Sequence, residues 1–506
     1  MIRTTLYTIL ISLFVVTGQA KGESYPIVDT GQNACFNNSG QIDCPAPEEI
    51  FDGQDAQYKG HAARYQDNGD GTVSDLVTGL MWVKERGYKI SWSLAMSEAA
   101  TCRVGGYSDW RAPTIKELYS LIDFNGWVQG NEHDSIPFIN TRYFDFKYGD
   151  PRIGERLIDS QDWSSTKYMG TVMGGEEAAF GVNFADGRIK AYPINGRGQW
   201  HNKYIRYVRG TSKYGKNSFV DKGDGTVEDK ATGLIWQQKD SRDPLDWEYA
   251  LNYCSDLDLA GRTDWRLPSA KELQSIVDYS RSPESTDSAA IDPIFSVTDK
   301  NAYFWTSTTH LDGPKPSRAV YIAFGRAMGY FAPPRSQAAK RFLDVHGAGA
   351  QRSDPKAGNA AKYSQGQGPQ GDDIRILNAI RCVAGGGVEY YEPISTPIPD
   401  WTGVEHPGEE VAPLPEHKSG YGPPPGEPHH RGGHGPMDTH RMHGQEPMLH
   451  HSPPPEAIEA CRNLVENKAC TVDGPRGALS GLCRDTGELL VCVPVHGRPG
   501  VPPHRQ

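Results

Sequence analysis

One stretch written twice constrains this chain more than any other feature: Asp109-Trp110-Arg111-Ala112-Pro113-Thr114-Ile115-Lys116-Glu117-Leu118 and Asp264-Trp265-Arg266-Leu267-Pro268-Ser269-Ala270-Lys271-Glu272-Leu273. Two copies in one chain mean two versions of one domain. In each, Thr114 or Ser269 stands before an apolar-periodic run and has Glu117 or Glu272 three residues on, which is a capping box. A helix is expected to start there in both halves.

Landmarks on either side repeat in the same order. Gly69-Asp70-Gly71-Thr72-Val73 and Thr78-Gly79-Leu80-Met81-Trp82 are answered by Gly223-Asp224-Gly225-Thr226-Val227 and Thr232-Gly233-Leu234-Ile235-Trp236. An Asp-Gly dipeptide between short β-rich runs is a hairpin signal. It also resembles a calcium loop, so the register decides. With Asp70-Gly71 at the fifth and sixth EF-hand positions, the first ligand is Gln66 in one copy and Val220 in the other, and the third in the second copy is Lys222. The EF-hand reading fails, and only a looser calcium site stays open.

An earlier helix is expected after Ser91 and Asp246, both good N-cap types. Its inner face reads Trp92, Ala95, Ala99 and Cys102 in the first copy and Trp247, Ala250, Cys254 and Leu257 in the second. Both sets fall on one face of a 3.6-residue helix. Gly105-Gly106 and Gly261 are expected to end it. In the second helix Ile115, Leu118 and Ile122 answer Ala270, Leu273 and Val277. Both copies then turn irregular around Trp163-Ser164-Ser165-Thr166 and Trp305-Thr306-Ser307-Thr308. Each closes on a β-rich segment, Ile205-Arg206-Tyr207-Val208 or Ile380-Arg381-Cys382-Val383.

The domain plan follows from these landmarks. Residues 1–20 read as a secretory signal, with Arg3, an apolar run from Leu6 to Val16 and small residues before the cleavage position. No cysteine follows Ala20 to carry a lipid, and no later run is apolar enough for long enough to span a bilayer. Residues 21–60 form a lead-in, 61–212 the first copy and 213–388 the second. The second copy carries a polar insertion near 333–373, rich in Gly, Ala, Gln and Lys/Arg, which is expected to be disordered. Residues 389–455 are a Pro/Gly/His-rich linker expected to be disordered. A four-cysteine microdomain at 456–495 and a tail at 496–506 complete the plan.

Nine cysteines in an exported chain point to disulfides with one thiol left over. Cys35 and Cys44 flank the turn-forming Asn37-Asn38-Ser39-Gly40 and are expected to close a small loop. In the gapless helix alignment Cys254 faces Ala99, and at the closing segment Cys382 faces Tyr207. The second copy has both cysteines and the first has neither, so Cys254 and Cys382 are expected to be bonded to each other. Cys461, Cys470, Cys483 and Cys492 include no CxxC pair and read as two disulfides, with three pairings open. Cys102 is then the free thiol, expected to be a buried small hydrophobe.

Taken together these motifs resemble the Lcl C-terminal domain family, named after a collagen-like adhesin of Legionella, in two tandem copies over roughly residues 60–386. The resemblance implies an α+β, C-type-lectin-like fold, in which a disulfide between the first helix and the last strand is common. The chain departs from that superfamily's calcium-dependent sugar site, having none of Glu-Pro-Asn, Gln-Pro-Asp or Trp-Asn-Asp. The Arg-Leu-Pro-Ser-x-x-Glu pattern also resembles formylglycine-generating enzymes, whose chemistry needs a reactive cysteine pair.

The functional reading is an exported, non-enzymatic, adhesin-like binding protein that engages a protein or glycan at the bacterial cell envelope, in the periplasm or at the cell surface. No catalytic residue is expected. Arg111, Glu117, Arg266 and Glu272 read as structural, because no His or second carboxylate sits at a fixed offset in both copies. No cofactor is expected, with calcium or zinc the open alternatives. A formal charge of −11 argues against a nucleic-acid partner for the chain as a whole; oligomerisation stays open. Two rival readings remain. One is metal binding through the His-rich segment, at His417 and at His429, His430, His434, His440, His443, His450 and His451. The other is a formylglycine-generating type of enzyme.

Overall fold

The computed structural model describes residues 24–195, 201–211, 213–333, 338–391, 459–462, 468–474, 477–485 and 490–494. The chain divides into two compact units, Met1–Glu409 and Glu410–Gln506. The signal segment, most of the linker with its histidines, and the final tail lie outside the described residues.

The first unit opens with short strands β1 (Cys35–Phe36), β2 (Gln41–Ile42) and β3 (Tyr58–Lys59). The first repeat follows: β4 (Tyr65–Asp67), β5 (Thr72–Asp75), β6 (Met81–Val83), α1 (Trp92–Glu98), α2 (Ile115–Tyr119), β7 (Gln161–Val172), β8 (Glu176–Asn183), β9 (Arg188–Pro193) and β10 (Val208–Arg209). The second repeat gives β11 (Phe219–Asp221), β12 (Thr226–Asp229), β13 (Leu234–Gln237), α3 (Trp247–Ser255), α4 (Ala270–Ser275), β14 (Tyr303–His310) and β15 (Arg318–Ala323). It continues through β16 (Met328–Phe331), β17 (Arg341–Asp344), β18 (Gln351–Pro355), β19 (Val383–Gly385) and β20 (Glu389–Tyr390). The architecture is α+β, dominated by strands, with two short helices in each copy.

Each repeat builds one small antiparallel sheet, β4-β5-β6-β10 or β11-β12-β13-β19, in which the closing segment pairs with the strand holding Trp82 or Trp236. The remaining long strands do not form two separate sheets. They join into a single six-stranded sheet, ordered β14-β15-β18-β9-β8-β7, with the two repeats meeting where Gln351 of β18 pairs with Ile189 of β9. Strand alternation then assigns the faces. Ile189 and Ala191 of β9, Phe180 and Val182 of β8, and Val320 and Ile322 of β15 all enter one core with Leu118 of α2 and Leu273 of α4. The repeats therefore share a core across the junction. Separate clusters pack Trp163, Ala179 and Tyr192 with Ala95 in the first repeat, and Trp305 and Tyr321 with Trp247 and Cys254 in the second.

The helices α2 and α4 meet through a reciprocal contact. Lys116 Nζ donates to the Ser275 carbonyl at 2.6 Å, and Lys271 Nζ donates to the Ser120 carbonyl at 2.9 Å. Equivalent residues exchange equivalent bonds, which is the signature of an isologous, twofold-like interface inside one chain. Burial pushes both ammonium groups down to about 8.

The stretches at 163–166 and 305–308 are not irregular chain but lie inside β7 and β14, with only a bulge after Trp163 and Trp305. Three more expectations need correction. The insertion near 333–373 is not disordered over its described part: it supplies β17 and β18, and β18 lies inside the six-stranded sheet. Its order comes from the first repeat. The Tyr168 hydroxyl donates to Asp344 at 2.7 Å, Met173 N–H donates to the Asp344 carbonyl at 2.8 Å, and Ala191 N–H to the His346 carbonyl at 2.8 Å. Gly371 lets the segment turn back onto β16, since its φ is 64° and a Cβ there would lie 2.3 Å from the Tyr330 carbonyl oxygen. Second, the glycines do not end the first helices. α1 passes into a 3-10 turn ending at Thr101 and α3 stops at Ser255, whereas Gly105, Gly106 and Gly261 serve later turns. Third, Cys102 is half-buried, because the 3-10 turn lifts it off the inner face.

In the second unit β21 (Ala469–Gly474), β22 (Gly477–Asp485) and β23 (Leu490–Pro494) form a three-stranded antiparallel sheet. Disulfides Cys461–Cys483 and Cys470–Cys492 staple it.

Candidate functional site

The repeated motif shows what its polar groups are used for. Arg111 donates to both carboxylate oxygens of Glu117 at 2.7 and 2.5 Å, while Glu117 also accepts from Thr114 N–H at 2.8 Å. Arg266 does the same to Glu272, at 2.6 Å for both bonds, and Ser269 N–H completes the box at 2.9 Å. The next motif closes the same network. Thr166 accepts from Ile115 N–H at 3.0 Å and Thr308 from Ala270 N–H at 2.9 Å, so each Thr satisfies a helix N-terminal donor. Trp92 and Trp247 donate to the carbonyls of Ser164 and Thr306 at 2.9 and 2.8 Å. The closing Arg206 and Arg381 are fully buried and spend their Nη donors on backbone carbonyls, among them Val83 and Gln237, while each Nε has no partner among the described residues. Burial lowers the two guanidiniums to about 9 and about 10.

The Asp-Gly turns are occupied in the same way. Asp70 accepts from Thr72 N–H at 3.0 Å and its hydroxyl at 2.6 Å, and Asp224 makes the identical pair with Thr226. These carboxylates lock turns, as Asx-type hydrogen bonding does. The motif residues thus form a framework without a converging pair of acid and base.

An open polar site lies instead where the repeats join. A cleft of about 220 Å³ is lined by β8 and β9 of the first repeat, by β18, and by the turn at 367–372 of the second. The register that pairs Gln351 with Ile189 places Arg352 and Arg188 together on the sheet face away from the shared core. Alternation puts Lys190 on that face too.

Charges in the cleft fall into two groups. Arg188 donates to Asp186 at 3.1 Å and also pairs with Asp312. Arg352 donates to Asp372, whose other oxygen meets His346 Nε2 at 2.8 Å. Burial opposes ionisation of Asp372, yet Arg352 and His346 outweigh it and hold the carboxyl well below the usual range. Burial keeps the His346 imidazole neutral down to about 4. These pairs consume all three carboxylates of the cleft. Arg318 is left with the Ser353 carbonyl at 2.9 Å and the Gln367 amide. Lys190 has the Tyr192 ring 4.9 Å away and no hydrogen-bond acceptor among the described residues, although Asp372 and Asp186 act on it through space. Burial, reinforced by Arg352, pushes its ammonium down to about 7.

None of these cleft residues was singled out by sequence reasoning. The available signal was the local excess of basic residues in the insertion, set in an acidic chain. Of the residues that were singled out, Glu117 and Glu272 complete the capping boxes, and Arg111 and Arg266 hold those carboxylates. Cys254–Cys382 and Cys35–Cys44 are disulfides with Cα separations of 5.5 and 5.1 Å, and Cys102 is a free thiol. The histidines from His417 to His451 lie outside the described residues. Among the described residues the grouping with metal-ligand geometry is Cys461, Cys470 and Cys492, and all three are in disulfides.

Fold and site together define a class: a disulfide-stapled α+β protein made by tandem duplication, with a cationic cleft at the junction of its copies. The model of the Lcl C-terminal domain family matches residues 71–209 and 225–342, just over half of the chain, and the chain belongs to that family. The second match ends at residue 342, inside the insertion whose later part completes the cleft. No curated protein matches the chain.

Proposed function

We propose that the chain is an exported, non-enzymatic binding protein of adhesin type, which engages a glycan or protein at the bacterial cell envelope through its two repeats. The observation that carries this reading is the division of labour among polar groups. The repeated motifs are spent on capping and turns, whereas the junction of the copies keeps an open cleft in which Lys190 and Arg318 form no ion pair with a carboxylate among the described residues. Catalysis needs a positioned acid, base or nucleophile, and the framework motifs place none at a common locus. The bond between Cys254 and Cys382 supports the same side, since formylglycine-type chemistry requires reactive thiols. Export is supported by the leader-like N-terminus and four disulfides. Among the described residues no helix is long and apolar enough to cross a membrane. A C-type-lectin-like fold is part of the proposal, supported by the disulfide joining α3 to the residue before β19.

Arrays of envelope glycans and proteins, probed with the full chain and with a chain ending at Tyr391, test the reading. Both forms are expected to bind the same ligands. Binding by the segment after Tyr391 alone, with none by the repeats, would replace this reading with the metal-binding or tail-centred one.

A further inference from the structure

We propose that the junction cleft binds the carboxylate of a small acidic sugar, with Lys190 and Arg352 as its cationic contacts. This rests on the reading of the repeats as a binding module and names the ligand class of that site. Four observations converge on it. The cleft is made by both copies, so it exists only because they are fused: Arg188, Lys190 and Asn183 come from the first and Arg352, Gln367 and Gln370 from the second. Its volume of about 220 Å³ suits a small molecule more than a polymer chain. Its carboxylates are bonded to Arg188, Arg352 and His346, which leaves Arg318 on neutral acceptors, Lys190 without a hydrogen-bond partner among the described residues though in the field of Asp372 and Asp186, and Nη1 of Arg352 unspent beside it. Of the amides in the lining, Asn183 is spent on Ile158 and Ala185 and Gln161 donates to Ile158, whereas Gln370 and the Gln367 amide nitrogen supply groups suited to hydroxyls rather than to an apolar ligand. A planar guanidinium beside an ammonium matches a carboxylate, which accepts from both.

Lys190 adds a pH dependence with a definite sign. It faces Arg156 and Asp186 from its own repeat, the Tyr192 ring on its own strand, and Arg352, Asp372 and His346 from the other repeat. With its ammonium pushed down to about 7, Lys190 is mostly charged at pH 6 and mostly neutral at pH 8. An anionic ligand prefers the charged form, so affinity falls as pH rises through this range, by about tenfold between pH 6 and pH 8.

Titration of the full chain with glucuronate, followed by calorimetry at pH 6 and pH 8, is the test, with glucose and inorganic sulfate as the other probes. Glucuronate is expected to bind about tenfold better at pH 6. Lys190→Gln should weaken it at pH 6 by at least tenfold and flatten the pH response. Lys190→Arg should keep the affinity and also lose the pH response, which separates charge from folding. Equal binding of glucose, full competition by equimolar sulfate, or glucuronate affinity indifferent to Lys190→Gln would overturn the assignment. If the array ligands still bind while glucuronate does not, this inference falls and the binding-module reading stands.

Discussion

At the scale of single residues, the two copies of one ion pair live in different surroundings. Arg266 and Glu272 have side chains 4% and 5% exposed, whereas Arg111 is 31% exposed above a buried Glu117. The lead-in makes the difference, because Tyr58 places its ring 5.3 Å from the Arg266 guanidinium while Asp55 bonds Thr308 beside it. Removing one partner of a buried pair strands the other charge, and that loss exceeds what the pair contributed when intact. Arg266→Met is therefore expected to destabilise the protein by about 3–5 kcal/mol, and Arg111→Met, where water reaches the carboxylate's partner, by about 1–2 kcal/mol. Urea unfolding of the two variants measures the gap; equal losses would mean that the lead-in does not seal the second site. The capping boxes were legible in the sequence because Thr114–Glu117 and Ser269–Glu272 are local, one helical turn apart. The covering of Arg266 was not, since nothing in the spacing of residues 24–60 says which copy they lie on.

At the scale of elements, both repeats tie the first helix to the closing segment, by different chemistry. The second uses Cys254–Cys382, closing a sequence separation of 128 residues. In the first, Tyr207 occupies the position of Cys382 and its hydroxyl donates to the Ala95 carbonyl on α1 at 3.0 Å. In the chain-entropy picture a loop of that length is worth about 5 kcal/mol, against about 1 kcal/mol for one hydrogen bond. Replacing both cysteines by Ala should cost several times what Tyr207→Phe costs, read as the shift in denaturation midpoint. A Tyr207→Phe loss equal to the disulfide's would show that the first tie is more than a hydrogen bond. Comparing the copies made this pairing readable, because two cysteines appear together in one copy and are absent together from the other. The helix ends were misread: Gly105 and Gly261 carry the expected positive φ, but the chain leaves the helix before it reaches them.

At the scale of the whole first unit, the repeats share one sheet and one core, so neither is complete alone. Parting them would expose Ile189 and Ala191 at the seam and break the reciprocal bonds of Lys116 to Ser275 and of Lys271 to Ser120. Calorimetry of the chain ending at Tyr391 is expected to show one cooperative transition for both repeats, and the first repeat expressed alone should lack one; two resolved transitions would refute the shared-core account. By itself the sequence determined the duplication, the capping boxes, the hairpin turns and the Cys254–Cys382 bond. Those features are carried by neighbours within a turn of chain or by position-for-position comparison of the copies. Tertiary structure alone decided the continuous sheet, the ordering of the insertion and the cleft with Lys190 and Arg352. Each depends on a strand from one copy pairing with a strand from the other. The sequence of either strand records only which residues alternate, not which distant backbone satisfies its hydrogen bonds.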